Sequence, residues 1–404
     1  MNEIDNTVIK LTEEYTSAML KDYHSLHRIP ELSFQEYETT EYIRKRLEEM
    51  DIQILDYGLE TGVAGYLEGS GSGPCIGLRA DIDGLPVSET KRETGEEGFV
   101  LSEHPGIMHA CGHDTHMASL LGAARVLIRM REQINGSVKF LFQPAEEVSR
   151  GSTYMIDRGV LQNPKVDMLF GLHNAPSIPT GTVGVRKGPL MAAVINFEIR
   201  IRGTGGHGAL PHTTRDPIVC AAAVIQSVQT IVSRSIDPFH PAVVSICSIQ
   251  GGQGMTNVTP DTVTMKGTAR AFHEEDMDQI RRRMDQIVTG TAEAYGCTAE
   301  LDFPLDLGAT GSEQLYDLAL DAAGAVAEPV DPPASMAGED FAFYQDTGIP
   351  TFFYFLGIRN EAKGCIYPLH SPRYLADPDC LPIGAGIYAL SVFRGIDYIR
   401  STKA

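Results

Sequence analysis

Ser137-Val138-Lys139-Phe140-Leu141-Phe142 runs without a break into Gln143-Pro144-Ala145-Glu146-Glu147. The apolar run reads as a buried strand, Pro144 ends it, and two adjacent carboxylates follow at once. Neighbouring carboxylates repel unless a cation lies between them or one is protonated. Just upstream, Met117 to Met130 is rich in alanine and leucine and reads as a helix. Downstream, Asp167 to Leu172 is a second apolar strand, and it ends in His173-Asn174. Ahead of the helix, the strand Cys75 to Leu78 runs into Arg79-Ala80-Asp81-Ile82-Asp83-Gly84. Three successive strand ends therefore bring Asp81, Glu146-Glu147 and His173 to one sheet edge. The expectation is an α/β fold: a mixed, mostly parallel sheet flanked by helices, with its chemistry at the carboxyl ends of the strands.

Residues 12 to 28 and Glu36 to Met50 read as amphipathic helices, and Val63 to Leu67 as a further strand. The pattern changes after Met191. Strand Val194–Ile201, helix Pro217–Ser233, strands Ala242–Ile249 and Thr262–Ala271, helix Glu274–Tyr295 and strand Cys297–Phe303 form a split βαββαβ order. That order predicts a ferredoxin-like α+β domain inserted over 191–303. The main domain is then made of 1–190 and 304–404, with Thr351–Leu356 as a buried strand and Gly384–Tyr398 as a terminal helix.

A formal net charge of -20 in 404 residues argues against nucleic acid or an anionic membrane as a partner. The run Arg281-Arg282-Arg283 sits on an otherwise acidic helix and reads as a solvated face. The first residues do not resemble a signal peptide, and no apolar stretch comes near the length of a bilayer span, so a cytoplasmic location is expected. Seven cysteines at irregular spacing make no disulfide framework. Cys220 and Cys247 lie in apolar segments and are expected to be buried.

Cys111 differs. Met108-His109-Ala110-Cys111-Gly112-His113-Asp114 places a thiol and an imidazole either side of a glycine, whose sharp turn can aim both at one point. With Glu147, His173 and His370 they make five donors suited to a divalent metal. Five are too many for one zinc, so two metals sharing a bridge fit better. Glu146, next to a ligand, is placed to shuttle a proton. Plainer alternatives stand beside each assignment. The loop could cap a helix through Asp114 or Thr115, His370 could be a structural histidine ahead of its Ser-Pro turn, and Glu146 a second ligand or a surface carboxylate. One of Asp81 and Asp83 is expected only to cap its loop.

Four stretches together resemble the N-acyl-amino-acid amidohydrolases, the aminoacylase-like branch of the dinuclear metallopeptidase superfamily that includes hippurate and auxin-conjugate hydrolases. They are Met108 to Asp114, Gln143 to Glu147, Gly205-Gly206-His207-Gly208-Ala209-Leu210-Pro211-His212, and Gly338-Glu339-Asp340-Phe341. The resemblance spans about Tyr23 to Phe393. It implies two divalent ions per subunit (manganese, zinc, nickel or cobalt) held by Cys111, His113, Glu147, His173 and His370, with Glu146 as general base. Related branches carry His-x-Asp where this chain has Arg79-Ala80-Asp81; arginine cannot ligate, so Asp81 is expected to orient a ligand or the base. The inserted domain is implied to act as a lid and to form a homodimer. In it His207 would reach the oxyanion across the dimer, while Asn257 and Arg270 hold the substrate carboxylate. The implied reaction is hydrolysis of an N-acyl amino acid. Its rivals are a dipeptidase or carboxypeptidase on the same scaffold, a silent binding homologue, and a hydrolase using Cys111 as nucleophile.

Overall fold

In chain order, the first compact unit of the computed structural model starts with helices α1 (Glu3–Glu14), α2 (Thr16–Arg28) and α3 (Tyr37–Glu49). Strands β1 (Gln53–Ile54), β2 (Val63–Glu68) and β3 (Cys75–Asp81) follow, then α4 (His113–Arg129), β4 (Ser137–Gln143), β5 (Met168–Pro179) and β6 (Thr182–Gly184). The structure describes residues 2–90 and 99–403. A second unit, Met191–Thr310 with Ala334–Ala342, holds β7 (Ala193–Arg202), α5 (Pro217–Ser235), β8 (Ala242–Gly251), β9 (Thr262–Ala271), α6 (Glu274–Ala294) and β10 (Thr298–Leu307). The first unit resumes with α7 (Tyr316–Val326), β11 (Glu328–Val330), β12 (Thr351–Arg359) and α8 (Leu381–Lys403).

The large sheet has the order β1-β2-β4-β3-β5-β12-β6-β11. Its centre, β4-β3-β5-β12, is parallel, and antiparallel pairs flank it. Register explains the convergence at its edge. Asp81 pairs with Gln143, and Arg79 pairs with Gly171, so Asp81, Gln143 and His173 lie at one level on neighbouring strands; β5 does not end at His173, as its apolar run suggested, but continues to Pro179. β3 and β4 are buried at every position, as central parallel strands covered on both faces must be. Helix α4 packs against α2, α8 and β3 and is buried almost all round, which its alanines, leucines and Gly122 permit.

The second unit is the expected ferredoxin-like sandwich, a fully antiparallel sheet β8-β9-β7-β10 with its own apolar core against α5 and α6. It runs beyond 191–303: β10 continues to Leu307, and 334–342 returns to it, with Ala192 donating to the Ser335 and Ala337 carbonyls.

Three expectations need correction. The first helix starts at Glu3, where Asn2 and Asp5 form a capping box, and a break at Tyr15 separates it from α2. Cys247 is exposed, because β8 is an edge strand and its register shifts between Ile246 and Ser248. Helix α5 is, by length and composition, apolar enough to cross a bilayer. Here its Cys220, Ala221, Val224, Val228 and Ile231 are buried in the core of the second unit.

Candidate metal centre

Gly112 is where the local sequence builds the site. Its φ of 82° lies in the left-handed region, and it is the N-cap of α4. A Cβ there would overlap the Asn174 amide and the Tyr374 hydroxyl. The Gly112 carbonyl accepts from Asn174 Nδ2 (2.9 Å) and Thr115 Oγ1 (2.7 Å). This turn sets Cys111 at the end of the loop and His113 at the start of the helix, both buried. Ala145, at φ 55°, does similar work one strand away, turning the chain so that Glu146 and Glu147 follow β4 back over its end. His370 also has a left-handed backbone, at φ 64°, and its N–H donates to the Ala110 carbonyl at 2.8 Å.

All five expected donors meet. Cys111 Sγ lies 3.3 Å from His173 Nε2. His113 Nε2 is 3.9 Å and His370 Nε2 3.6 Å from Glu147 Oε1. Two groups of three, Cys111/His113/His173 and Cys111/Glu147/His370, each have ligand atoms within 4.8 Å of one another, and they share Cys111. Glu146 joins His113 and Glu147 in a third such group.

The imidazoles are turned the right way. His113 Nδ1 faces the Asp83 carbonyl at 2.9 Å and His173 Nδ1 faces the Asn174 carbonyl at 2.9 Å. Each Nδ1 therefore donates to a carbonyl, so Nε2 is the atom that each ring turns into the site. Among the described residues, His113 Nε2 and Glu147 Oε1 are buried and have no hydrogen-bond partner. Buried polar atoms are rarely left so without a reason, and a cation between them supplies one.

Electrostatics point the same way. Burial pushes Glu147 up to about 7, with the Asp83 charge adding to it and His113 opposing. Burial and the nearby Glu147, Glu146 and Asp81 charges raise the Cys111 thiol well above its ordinary range. Burial by itself would lower His113, but Asp81, Asp83 and Glu147 together bring it up to about 10. Acceptors packed this closely raise one another's proton affinity, and a cation that binds them displaces those protons.

Of the two aspartates, Asp83 does more than cap a loop. Its carboxylate accepts from Glu147 N (3.0 Å) and Ser33 Oγ (2.7 Å), and its Oδ1 lies 3.2 Å from His113 Nδ1. Asp83 thus ties two donors together, a role the sequence hinted at only through the Asp-x-Asp spacing. Asp81 sits one step further back: Arg79 NH1 donates to it at 2.7 Å, and His116 Nδ1 at 2.5 Å. His116 Nε2 in turn accepts from Asn174 N, so His116 is fully used as a brace and is not free to ligate. Buried Glu36, which accepts from Ala145 N at 2.8 Å, steadies the glutamate loop and carried no signal in the sequence.

The remaining three expected residues belong to the second unit. His207 pairs with Val258 in a two-stranded ribbon, and Gly208 N donates to the Asn257 carbonyl, so His207 and Asn257 are neighbours. His207 is exposed and its Nδ1 accepts from Ala209 N; among the described residues its Nε2 has no hydrogen-bond partner. Arg270 is half-buried on β9, and burial pulls its pKa down. Among the described residues it makes no ion pair, and a Cβ on Gly338 would crowd its guanidinium.

The model of peptidase family M20/M25/M40 matches residues 77–394. The chain belongs to that family. It is 41% identical over 367 residues to N-acetylcysteine deacetylase of Bacillus subtilis (strain 168), covering 90% of this chain and 93% of that protein. Thermostable carboxypeptidase 2 of Saccharolobus solfataricus is 38% identical over 374 residues, 91% of this chain and 93% of its own length. The crystal structure of the Bacillus subtilis YXEP protein, described as a dinuclear metal binding peptidase, superposes with a TM-score of 0.82 at 36% identity. It covers 95% of this chain and 99% of that one. This M20 chain is accordingly a hydrolase with the fold of that family.

Proposed function

We propose that this M20 hydrolase cleaves the amide bond of N-acyl amino acids, giving a carboxylic acid and a free amino acid. One observation carries the reading: Glu146 lies within the five-donor cluster, beside the open His113 Nε2 and Glu147 Oε1 atoms. Cys111, His113, Glu147, His173 and His370 would hold two divalent cations, which would polarise the acyl carbonyl and acidify the attacking water. Asp83 and Asp81 keep the donors oriented. Glu146 takes the proton of the attacking water on a carboxylate oxygen and delivers it to the departing nitrogen. Arg270, half-buried without a carboxylate of its own, suits the carboxylate of the amino-acid moiety, with Asn257 assisting. His207 offers Nε2–H to the developing oxyanion, from the partner subunit of a homodimer formed through the second unit. The similarity to a deacetylase of N-acetylcysteine supports an acyl substrate, and the free cysteines fit a cytoplasmic setting.

A second reading, a carboxypeptidase, is favoured by the similarity to thermostable carboxypeptidase 2. Acetyl-, benzoyl- and indoleacetyl-amino acids assayed beside dipeptides separate the two. Turnover of the acyl series is expected; turnover confined to dipeptides would replace the proposal with the second reading. Glu146→Gln should retain bound metal and lose at least about a hundredfold in kcat, the low end of what a positioned acid–base group contributes. Wild-type-like turnover by this variant would remove Glu146 from the mechanism.

A further inference from the structure

Three donors in the second unit stand apart from everything used so far. His240 lies in the turn between α5 and β8, His273 is the N-cap of α6, and Asp276 is in the first turn of that helix. One ligand atom from each lies within 4.8 Å of the other two. His240 Nδ1 is 2.8 Å from Asp276 Oδ2. The two imidazoles face each other with centroids 4.3 Å apart at 35°. Asp276 is buried, and both histidines are partly exposed. Among the described residues, the His273 ring has no hydrogen-bond partner, so its nitrogens are open to a ligand.

We propose that His240, His273 and Asp276 form a further divalent-cation site, of the zinc or nickel type. Two imidazoles and a carboxylate are the donor set such ions take, and three protein ligands leave room for water in the remaining positions. Zinc bonds of about 2.0–2.1 Å put tetrahedral ligand atoms roughly 3.4 Å apart, so His240 and Asp276 are already within chelating distance. A His273 nitrogen, within 4.8 Å of both, supplies the third ligand. A helix N-terminus ordinarily disfavours a cation, because the dipole there is positive. Glu274, Glu275 and Asp276 all fall in that first turn and reverse the sign of the local field. A plain His240–Asp276 ion pair would need neither the third donor nor a second imidazole 4.3 Å from that of His240. A bound ion would pin the turn before β8 to the start of α6, and so close one end of the helical layer of the second unit.

The test is zinc stoichiometry on the full-length chain, stripped with chelator and reloaded, read by metal analysis and by the thermal midpoint. Wild type should bind one zinc more than either His240→Ala or His273→Asn. Asparagine is a good N-cap, so the second variant removes the imidazole while the helix start stays intact. Added zinc should raise the melting temperature of wild type further than that of either variant. Equal zinc content in wild type and His273→Asn would overturn the proposal, whatever the fate of the alanine variant.

Discussion

At the scale of single residues, the centre depends on backbone that few side chains tolerate. Gly112 at φ 82° could be anticipated from Cys-Gly-His in the sequence, since a turn between two donors calls for glycine. Ala145 and His370 could not, because neither is a residue type that announces a left-handed backbone. Their positions come from tertiary contacts, which is also why His370 taken alone reads as structural rather than as a ligand. The two contributions at Gly112 are separable. Gly106 has φ 81° and open space around it, so Gly106→Ala bears only the backbone cost, about 1–2 kcal/mol. Gly112→Ala adds the overlap with Asn174 and Tyr374, for a total of about 2–5 kcal/mol by the usual cost of overpacking. Urea denaturation of the metal-free protein measures both, and only the Gly112 variant should also lose metal. Equal losses from the two variants would mean that the crowding around Gly112 relaxes away.

Elements were more legible than their supports. Hydrophobic runs and breakers located the central strands and the split βαββαβ order because those patterns are local. The braces Asp83, Asn174 and Glu36 come from three separate segments and, apart from the Asp-x-Asp spacing, leave no local pattern. The contact between α2 and α4 is another such case. His27 on α2 and Asp114 at the start of α4 are both buried, with Nδ1 2.6 Å from Oδ2, and Glu89 lies 3.3 Å from the other ring nitrogen. Burial works against a charged His27, but Asp114 and Glu89 outweigh it and raise its pKa from 6.5 to about 9. The Asp114 carboxyl, although buried, is held below its ordinary range chiefly by the His27 hydrogen bond. A raised pKa in the folded state means that stability from His27 is fully present below pH 6.5 and is lost as pH rises through about 9. Denaturation of wild type and His27→Gln at pH 6, 7.5 and 9.5 should therefore show a gap that is widest at pH 6 and narrows toward 9.5. A gap that holds constant would show that the pair is not ionised as drawn.

At the scale of the whole molecule, the donors and the candidate oxyanion group belong to different units. Glu146 lies in the first and His207 in the second, exposed and, among the described residues, without a partner on Nε2. A donor on the second unit serves catalysis either within its own subunit or within a partner's, and the two arrangements differ in a countable way. Glu146→Gln and His207→Ala should each be nearly inactive. Dissociated, mixed and reassociated, they give about half heterodimers by random pairing. If His207 works across the dimer, one site of each heterodimer joins an intact Glu146 to the intact His207 of the other subunit, and the second site lacks both. Half of the dimers with one working site of two restores about a quarter of wild-type activity. If His207 works within its own subunit, every site in the mixture lacks one group or the other, and activity stays at the level of the single variants. Size-exclusion chromatography of the same mixture establishes that dimers formed. A dimeric mixture without recovery would therefore place His207 in its own subunit's site, or outside the chemistry altogether.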